Sequence, residues 1–378
     1  EEFISDKPFE GKGTIDSVGL GPGAGGAYGG RFGGRRKLAT RGGGGRRTEE
    51  AVLAGLRWLA RHQDPSGKWE AAGYTSRCRG GKICEGKGVP QYDVGVTGLA
   101  LLAFLGAGYT HMSKEVHDGI CFGDVVNKGL KYLKEVQTSD GCFGDKTAGK
   151  MMYNHCLAAL AMAEAYGLTG SYRFKKAAQV GIDFLVQAQN PKKGWRYTPR
   201  CGDNDTSVTG WAVMALKSAK ISKLNVPVEA FDGARNWLDE VTDEMYYLAG
   251  YTGRGVGSAA VQNVNDDYKT YPVMTAVAVT TRIFIDANPK DPKVKGGCEE
   301  LVKDENLPEW SPSKKTIDYY YWYYGTLALY QFDGPDGPKW RKWNKAMVSA
   351  LVKHQCKKNE GCAYGSWPAD TPSGKGKW

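Results

Sequence analysis

The chain alternates between two apolar patterns from about residue 48 onward. In the first, apolar residues recur every three or four positions, as at Val52, Leu56 and Leu59, which predicts a helix with one buried face. In the second, a segment is apolar almost throughout, which predicts a helix buried on all sides. Segments of the second kind run over 94–105, 155–166, 206–218, 273–285 and 319–332. We therefore expect helical hairpins, each with one outer and one inner helix.

The one-faced segments are copies of one another, so the fold is a repeat. Four copies begin GLRWLARHQ at Gly55, GLKYLKEVQ at Gly129, GIDFLVQAQ at Gly181 and GARNWLDEV at Gly233, and more distant copies start near Gly296 and Lys345. The pattern predicts an all-α protein, an α/α toroid of about six helical hairpins whose last hairpin is incomplete. An open solenoid is the lesser alternative.

Each clear copy carries a glutamine followed by an aromatic residue in a Gly- and Asp-rich turn. The glutamines are Gln63, Gln137 and Gln189, and the aromatic residues are Trp69, Phe143 and Trp195. We expect the amides to tie helix ends to turns and the rings to fill the hairpins, which is a structural role.

Residues 1–47 differ in composition from the toroid, which covers residues 48–378. The chain has 52 glycines, and 15 of them fall in the first 50 positions, where apolar residues are too few to form a core. We expect a Gly/Arg-rich extended arm that is held by the body, a neighbouring subunit or a partner. Its candidate interaction residues are Arg31, Arg35, Arg36, Arg41, Arg46 and Arg47. The start at Glu1, with no signal-peptide pattern, is typical of a processed or partial chain.

Charge, hydropathy and cysteine content limit the possible partners, metal sites and location of the protein. Of the net charge of +10, +2 falls in residues 1–50 and the remaining +8 is spread over the body, so nucleic acid is an unlikely partner. The longest apolar stretch, 94–108, is too short for a membrane span. The nine cysteines form no CxxC motif, and we expect no metal site and no cofactor. The loop pairs Cys78/Cys84 and Cys356/Cys362 are candidate disulfides, which would indicate an extracytoplasmic location, periplasmic or cell surface.

The repeated Gln and aromatic turns resemble the QW-type repeats of the terpene cyclase and protein prenyltransferase superfamily. The chain is similar in particular to bacterial prenyltransferase/squalene oxidase repeat proteins of the planctomycete type, in which a Gly/Arg-rich arm precedes a segment like AVLAGLRWLARHQ. The resemblance covers residues 48–378 and implies the toroid fold. The same fold hosts cyclases, prenyltransferases, glycan-active enzymes and non-catalytic binding domains.

The resemblance to the enzymes fails at their catalytic positions. Class II terpene cyclases carry a DxDD-T motif, and aligning GDNDT on Thr206 puts Asn204 where the proton-donating aspartate belongs. An amide cannot be that acid. Protein prenyltransferases need Asp, Cys and His zinc ligands, and in the corresponding region Asn306 replaces the cysteine while tyrosines replace the histidine.

The beginnings of the inner helices are the candidate functional site, because in a toroid they all face the same end of the central cavity. The candidate catalytic residues are Asp93, His155, Asp203, Asp205 and Asp318, and the candidate binding residues are Tyr92, Tyr271, Tyr319, Trp322 and Tyr323. An acidic residue before a helix is more often an N-cap, and an aromatic run is more often core packing.

Three functions follow from these features. A non-catalytic toroid, acting as scaffold or binding protein in a homo-oligomer or larger complex with the arm docked on a neighbour, fits the missing catalytic motifs. A terpene cyclase-like or glycan-active enzyme fits the funnel of carboxylates and aromatic rings. Nucleic-acid binding by the arm fits only the arginines of residues 31–47. We expect the first, and a protein that is not an enzyme.

Overall fold

The computed structural model describes residues 39–79, 83–86, 88–257, 272–288, 290–314 and 316–368. Its helices are α1 (Arg46–Arg61), α2 (Asp93–Gly106), α3 (Phe122–Glu135), α4 (Met151–Thr169), α5 (Tyr172–Ala188), α6 (Thr206–Ile221), α7 (Val228–Val241), α8 (Val273–Asp286), α9 (Pro292–Leu301), α10 (Tyr319–Asp333) and α11 (Pro338–His354). Two short strands, β1 (Val116–His117) and β2 (Ile120–Cys121), form an antiparallel hairpin in which Val116 pairs with Cys121.

The helices form two concentric layers, as the two apolar patterns predict. The inner helices α2, α4, α6, α8 and α10 pack on one another in that order, and the outer helices cover them. The outer helix α11 packs on α1, so the last repeat returns to the first. The predicted α/α toroid is confirmed, and the inner segments expected from the sequence agree closely with the observed helices.

The repeat glutamines connect each outer helix to the next. The amide of Gln137 donates to the carbonyl oxygen of Gly141 in its own turn, at 3.1 Å, and to that of Ala177 in α5, at 2.9 Å. Gln63 and Gln189 bind their own turns and the following outer helices in the same way. In the last repeat Gln355 donates to Ala51 of α1 at 2.8 Å, so the same contact closes the ring.

A glycine in the middle of α3 and another in the middle of α5 leave room for the turn of the preceding repeat. At Gly181 a Cβ atom would lie 2.5 Å from Cε2 of Phe143, closer than any real side chain approaches. At Gly129 it would lie 3.0 Å from the ring of Trp69 and 2.9 Å from Leu101. At Gly129 and Gly181 an aromatic ring therefore lies directly on the helix backbone.

Within the described residues the ring has six outer helices and five inner ones. Where a sixth inner helix would stand there is a groove of about 560 Å³. It is bordered by α1, by Ala103 of α2, by Tyr319 and by the C-terminal loop that ends at Pro368. None of the described helices is long and apolar enough to cross a membrane.

The described end of the arm packs on its own chain. The carbonyl oxygen of Gly42 accepts hydrogen bonds from Trp340 Nε1 at 2.8 Å and from Asn344 Nδ2 at 3.0 Å, both on α11. Arg41 pairs with Asp336 just before that helix. Residues 39–45 therefore lie against α11 and do not fill the groove. Arg31, Arg35 and Arg36 lie outside the described residues.

Candidate functional site

Asp205 is the most deeply buried carboxylate at the beginnings of the inner helices. It stands before α6 as its N-cap, and Oδ1 accepts the backbone N–H of Val208 at 2.7 Å. Its other oxygen, Oδ2, accepts from the Tyr251 hydroxyl at 3.4 Å and lies 3.9 Å from Nε of Arg196. Asp205 is completely buried. The sequence predicted both a cap and a site candidate here, and the geometry shows that the cap is formed.

Burial dominates the electrostatics of Asp205. The loss of water raises the pKa of its carboxyl to about 7, although the Val208 N–H, the Arg196 charge and the Tyr251 hydroxyl all act to lower it. The carboxyl therefore carries its proton over most of the acidic range. A protonated carboxyl of this kind can donate a proton, so the electrostatics of Asp205 suit the role of an acid.

Phenols surround Asp205, and their hydroxyls bond to one another or to Ser207. The hydroxyls of Tyr197 and Tyr251 lie 2.6 Å apart. On the neighbouring helices, Ser207 Oγ lies 3.0 Å from the hydroxyl of Tyr153 and 2.6 Å from that of Tyr320. These bonds join α4, α6 and α10 across the centre of the ring. Most polar groups here bond to one another, as in a packed core, while the Tyr324 hydroxyl and Nε of Arg196 are buried without a hydrogen-bond partner among the described residues.

The other candidate acids are engaged locally. Asp93 accepts the backbone N–H of Ala71 at 2.8 Å and pairs with Lys68 at 3.0 Å, which fixes the turn after α1. Asp318 caps α10 by accepting the N–H of Tyr321 at 2.8 Å. Asp203 is exposed and lies 3.6 Å from Nη1 of Arg196.

His155 belongs to the core of the second hairpin and not to a funnel. Its Nδ1 accepts the backbone N–H of Phe143 at 3.1 Å, and its Nε2 lies 3.0 Å from the carbonyl oxygen of Gly181, to which it donates. Complete burial lowers the pKa of the imidazole to about 3, so the ring is neutral at ordinary pH. Both nitrogens are used, which leaves His155 a structural connector between turn and outer helix.

Three of the aromatic candidates, Tyr319, Trp322 and Tyr323, lie on different sides of α10. Tyr323 stacks on Trp211 of α6, with ring centroids 5.5 Å apart, near the centre. Trp322 is buried and contacts Trp310, and the Tyr319 hydroxyl donates to the carbonyl oxygen of Pro368 at the edge of the groove. Tyr92 ends the short 3-10 helix before α2 and is half-buried. Tyr271 lies outside the described residues. These side chains do not form one site.

Two of the predicted arm arginines lie on α1. Arg46 pairs with Glu50 at 2.7 Å along the exposed side of the helix, and Arg47 is exposed. Ion pairs at such exposed positions contribute little to stability. Arg46 and Arg47 are therefore available at the surface beside the arm.

Solved structures share this architecture at low sequence identity. One is an inactive variant of alpha-1,6-mannanase from Salegentibacter sp. in complex with alpha-1,6-mannotriose, with a TM-score of 0.57 and 13% identity over 86% of this chain and 93% of that chain. Another is the type II terpene cyclase MstE from Scytonema without ligand, with a TM-score of 0.54 and 11% identity over 85% of this chain and 81% of that chain. A third is an alpha-amylase from Clostridium perfringens, with a TM-score of 0.54 and 13% identity over 86% of this chain and 96% of that chain. No protein-family model and no curated protein matches the chain.

The chain has the terpene cyclase-like α/α toroid fold. At these identities the likeness shows the fold and leaves the chemistry of the central residues to be argued from their own geometry. In this toroid the residue aligned with the cyclase acid, Asn204, accepts a hydrogen bond from Asn190 at 3.0 Å and serves the loop before α6.

A second cluster in the toroid escaped the sequence analysis. His62, Cys78, Cys84 and Cys362 bring their ligand atoms within 4.8 Å of one another beside the groove. The absence of a CxxC motif predicts no metal site, so the cluster is not expected from the sequence. The candidate disulfides Cys78/Cys84 and Cys356/Cys362 are not formed, because all nine cysteines are free thiols in the structure. The only signal was a pair of cysteines spaced too widely for the usual motif.

Proposed function

We propose that this toroid is a non-catalytic scaffold or binding protein that acts in a larger protein assembly. The observation that carries the proposal is that the polar side chains at the beginnings of the inner helices already have hydrogen-bond partners within the protein. Asp93, Asp205 and Asp318 all accept backbone N–H groups. The hydroxyls of the surrounding tyrosines bond to one another or to Ser207. A site built for substrate would leave some of these groups free to contact it.

The arm supports the assembly part of the proposal. Residues 39–45 already lie along α11, so the arm leaves the body at a fixed place. Arg31, Arg35 and Arg36 come directly before it in the sequence. Guanidinium groups on a glycine-rich backbone suit close contact with carbonyl and carboxylate oxygens of another protein surface. We propose that residues 1–38 dock on a neighbouring copy. An extracytoplasmic location stays a prediction without disulfides to support it.

An enzyme that uses Asp205 as its acid is the second candidate. It is favoured by the carboxyl pKa of about 7 and by the neighbouring Tyr251 and Tyr197. Two relatives in fold are a mannanase and a terpene cyclase, and the inactive mannanase variant has two aspartates replaced by asparagine. Glycan hydrolysis needs a second carboxylate near the acid, and Asp203, which shares Arg196 with Asp205, is the available one.

Turnover by the parent chain and by Asp205→Asn decides between the two. Asparagine keeps the N-cap but cannot supply the proton. We expect neither protein to convert alpha-1,6-mannotriose or a linear polyprenyl alkene above the blank. Conversion by the parent that falls a hundredfold or more in Asp205→Asn would overturn the non-catalytic proposal. Asp318→Asn, which alters another inner-helix cap, controls for a general effect on folding.

A further inference from the structure

Four potential metal ligands meet where the first repeat contacts the last. His62 follows α1, Cys78 follows the 3-10 helix Tyr74–Arg77, and Cys84 lies in the loop that leads to α2. Cys362 comes from the short helix Lys358–Ala363 in the C-terminal loop. All four are buried or half-buried. Side chains from such distant segments meet only because the ring closes.

The distances within the cluster are those of a tetrahedral metal site. The Nε2 atom of His62 lies 3.7 Å from the sulfur of Cys78, 3.7 Å from that of Cys84 and 3.4 Å from that of Cys362. With zinc bonds of about 2.3 Å to sulfur and about 2.0–2.1 Å to nitrogen, the nitrogen-to-sulfur edge of a tetrahedron is about 3.6 Å. The three nitrogen-to-sulfur distances therefore match the edges of a zinc tetrahedron, and all four ligand atoms lie within 4.8 Å of one another.

The imidazole is oriented for ligation. Its Nδ1 donates to the carbonyl oxygen of Trp58 at 2.8 Å, which places the lone pair on Nε2, the atom that faces the three sulfurs. The ring stacks on the indole of Trp58 at 4.2 Å. A carbonyl oxygen behind the ligating ring is the usual partner of a metal-bound histidine.

Hydrogen-bond donors lie beside two of the sulfurs. The backbone N–H of Cys84 points at the sulfur of Cys78 at 3.3 Å. The buried Nε1 of Trp58 has no hydrogen-bond acceptor among the described residues, and the Trp58 indole lies beside the sulfur of Cys84. A thiolate at Cys84 gives that orphaned N–H an acceptor. Arg61 lies near the cluster and offsets negative charge there.

We infer that His62, Cys78, Cys84 and Cys362 form a structural zinc site that joins the first hairpin to the C-terminal loop. Three sulfurs and one imidazole nitrogen complete a tetrahedron, so no position is left for water or substrate, as in structural sites. Binding releases three thiol protons to solvent and none from His62, because Nε2 is already unprotonated. The bound site carries one net negative charge. It holds the ring closed beside the groove where a sixth inner helix would stand.

Metal content of the purified full chain tests the site directly. We expect about one zinc per chain by elemental mass spectrometry. Cys84→Ser and Cys362→Ser should each lower that content at least tenfold. Cys356→Ser is the matched control: Cys356 is buried in the same loop but lies outside the cluster, so this variant should keep its zinc.

If the cysteine variants fail to fold, the visible absorption of the cobalt-loaded parent chain tests the site instead. The parent chain loaded with Co²⁺ should show intense visible bands and a sulfur-to-metal charge-transfer band, as tetrahedral thiolate sites do. Less than about 0.1 zinc per chain, both as purified and after zinc is added to the reduced protein, would overturn the inference. So would a Cys78–Cys84 disulfide in the native protein, or zinc retained in both ligand variants.

Discussion

At the scale of single residues, the same sequence pattern has different consequences according to burial. Asp205, Asp291 and Asp318 all precede helices and all cap them. Sequence reasoning could predict these caps because aspartate before a helix accepts orphan N–H groups. It could not predict that Asp205 is enclosed by Tyr251 and Tyr153 from other repeats. That enclosure, and not the cap, raises the carboxyl pKa to about 7.

Asp205→Asn should change how stability depends on pH. The carboxyl pKa is raised on folding, so ionisation opposes the folded state, and the penalty grows as pH rises from the unfolded pKa of about 4 to the folded value of about 7. Asparagine keeps the cap and does not ionise. We expect its free energy of unfolding, relative to the parent, to rise by about 2–3 kcal/mol between pH 5 and pH 8.

Urea unfolding at pH 5, 6, 7 and 8 measures this difference. Asp291→Asn, a half-buried cap of α9, separates the loss of a capping carboxylate from the loss of this buried one. Parallel profiles for the parent and Asp205→Asn would show that Asp205 titrates normally in the folded chain.

At the scale of elements, the repeat glycines should tolerate no side chain. In Gly181→Ala the new Cβ meets the Phe143 ring at 2.5 Å, so either α5 or the turn must shift. We expect the free energy of unfolding to fall by about 1–3 kcal/mol. Gly106→Ala is the control, because its Cβ meets nothing within 4 Å at the end of α2. That change should be neutral or stabilise by up to about 1 kcal/mol. Equal losses in the two variants, measured by urea unfolding, would contradict this account.

Each repeat glutamine should stabilise mainly the helices that it connects. Gln355→Ala removes the amide that joins the C-terminal loop to Ala51, and Gln189→Ala removes the matching contact between α5 and α7. Each should cost about 1–3 kcal/mol of unfolding free energy. Hydrogen exchange of the backbone amides should rise in α1 only for Gln355→Ala. A rise in α1 in both variants, or in neither, would mean that Gln355 does not hold the ring closed.

The helices were predictable because their periodicity is local. An inner helix such as α6 is apolar all round, and its start at Thr206 follows from the cap at Asp205. The role of Gln137 was also predictable, since the repeat places it between a helix and a turn. His62 and Cys362 lie 300 positions apart, and their contact depends on ring closure, which no short pattern encodes. The functional cluster that the sequence hid is therefore the one built by the last step of the fold.

At the scale of the whole molecule, the features fit a closed ring with little exposed chemistry at its centre. The described end of the arm lies on α11, next to α1, on the side of the ring where the first and last repeats meet. The inferred metal cluster and the groove lie at the same junction. The described end of the arm and the inferred metal site thus both lie where the first and last repeats close the ring. The proposed scaffold would present this region to another copy.

The mass of the full chain in solution tests the central claim most directly. By light scattering, we expect a particle of at least two 41.2 kDa chains. Arg35→Ala/Arg36→Ala should lower that mass, because it removes two guanidinium groups from the proposed docking arm. Lys175→Ala/Lys176→Ala removes two exposed charges from α5 and should leave the mass unchanged. A monodisperse parent of 41.2 kDa, with an arm that proteases cleave readily, would contradict the assembly account.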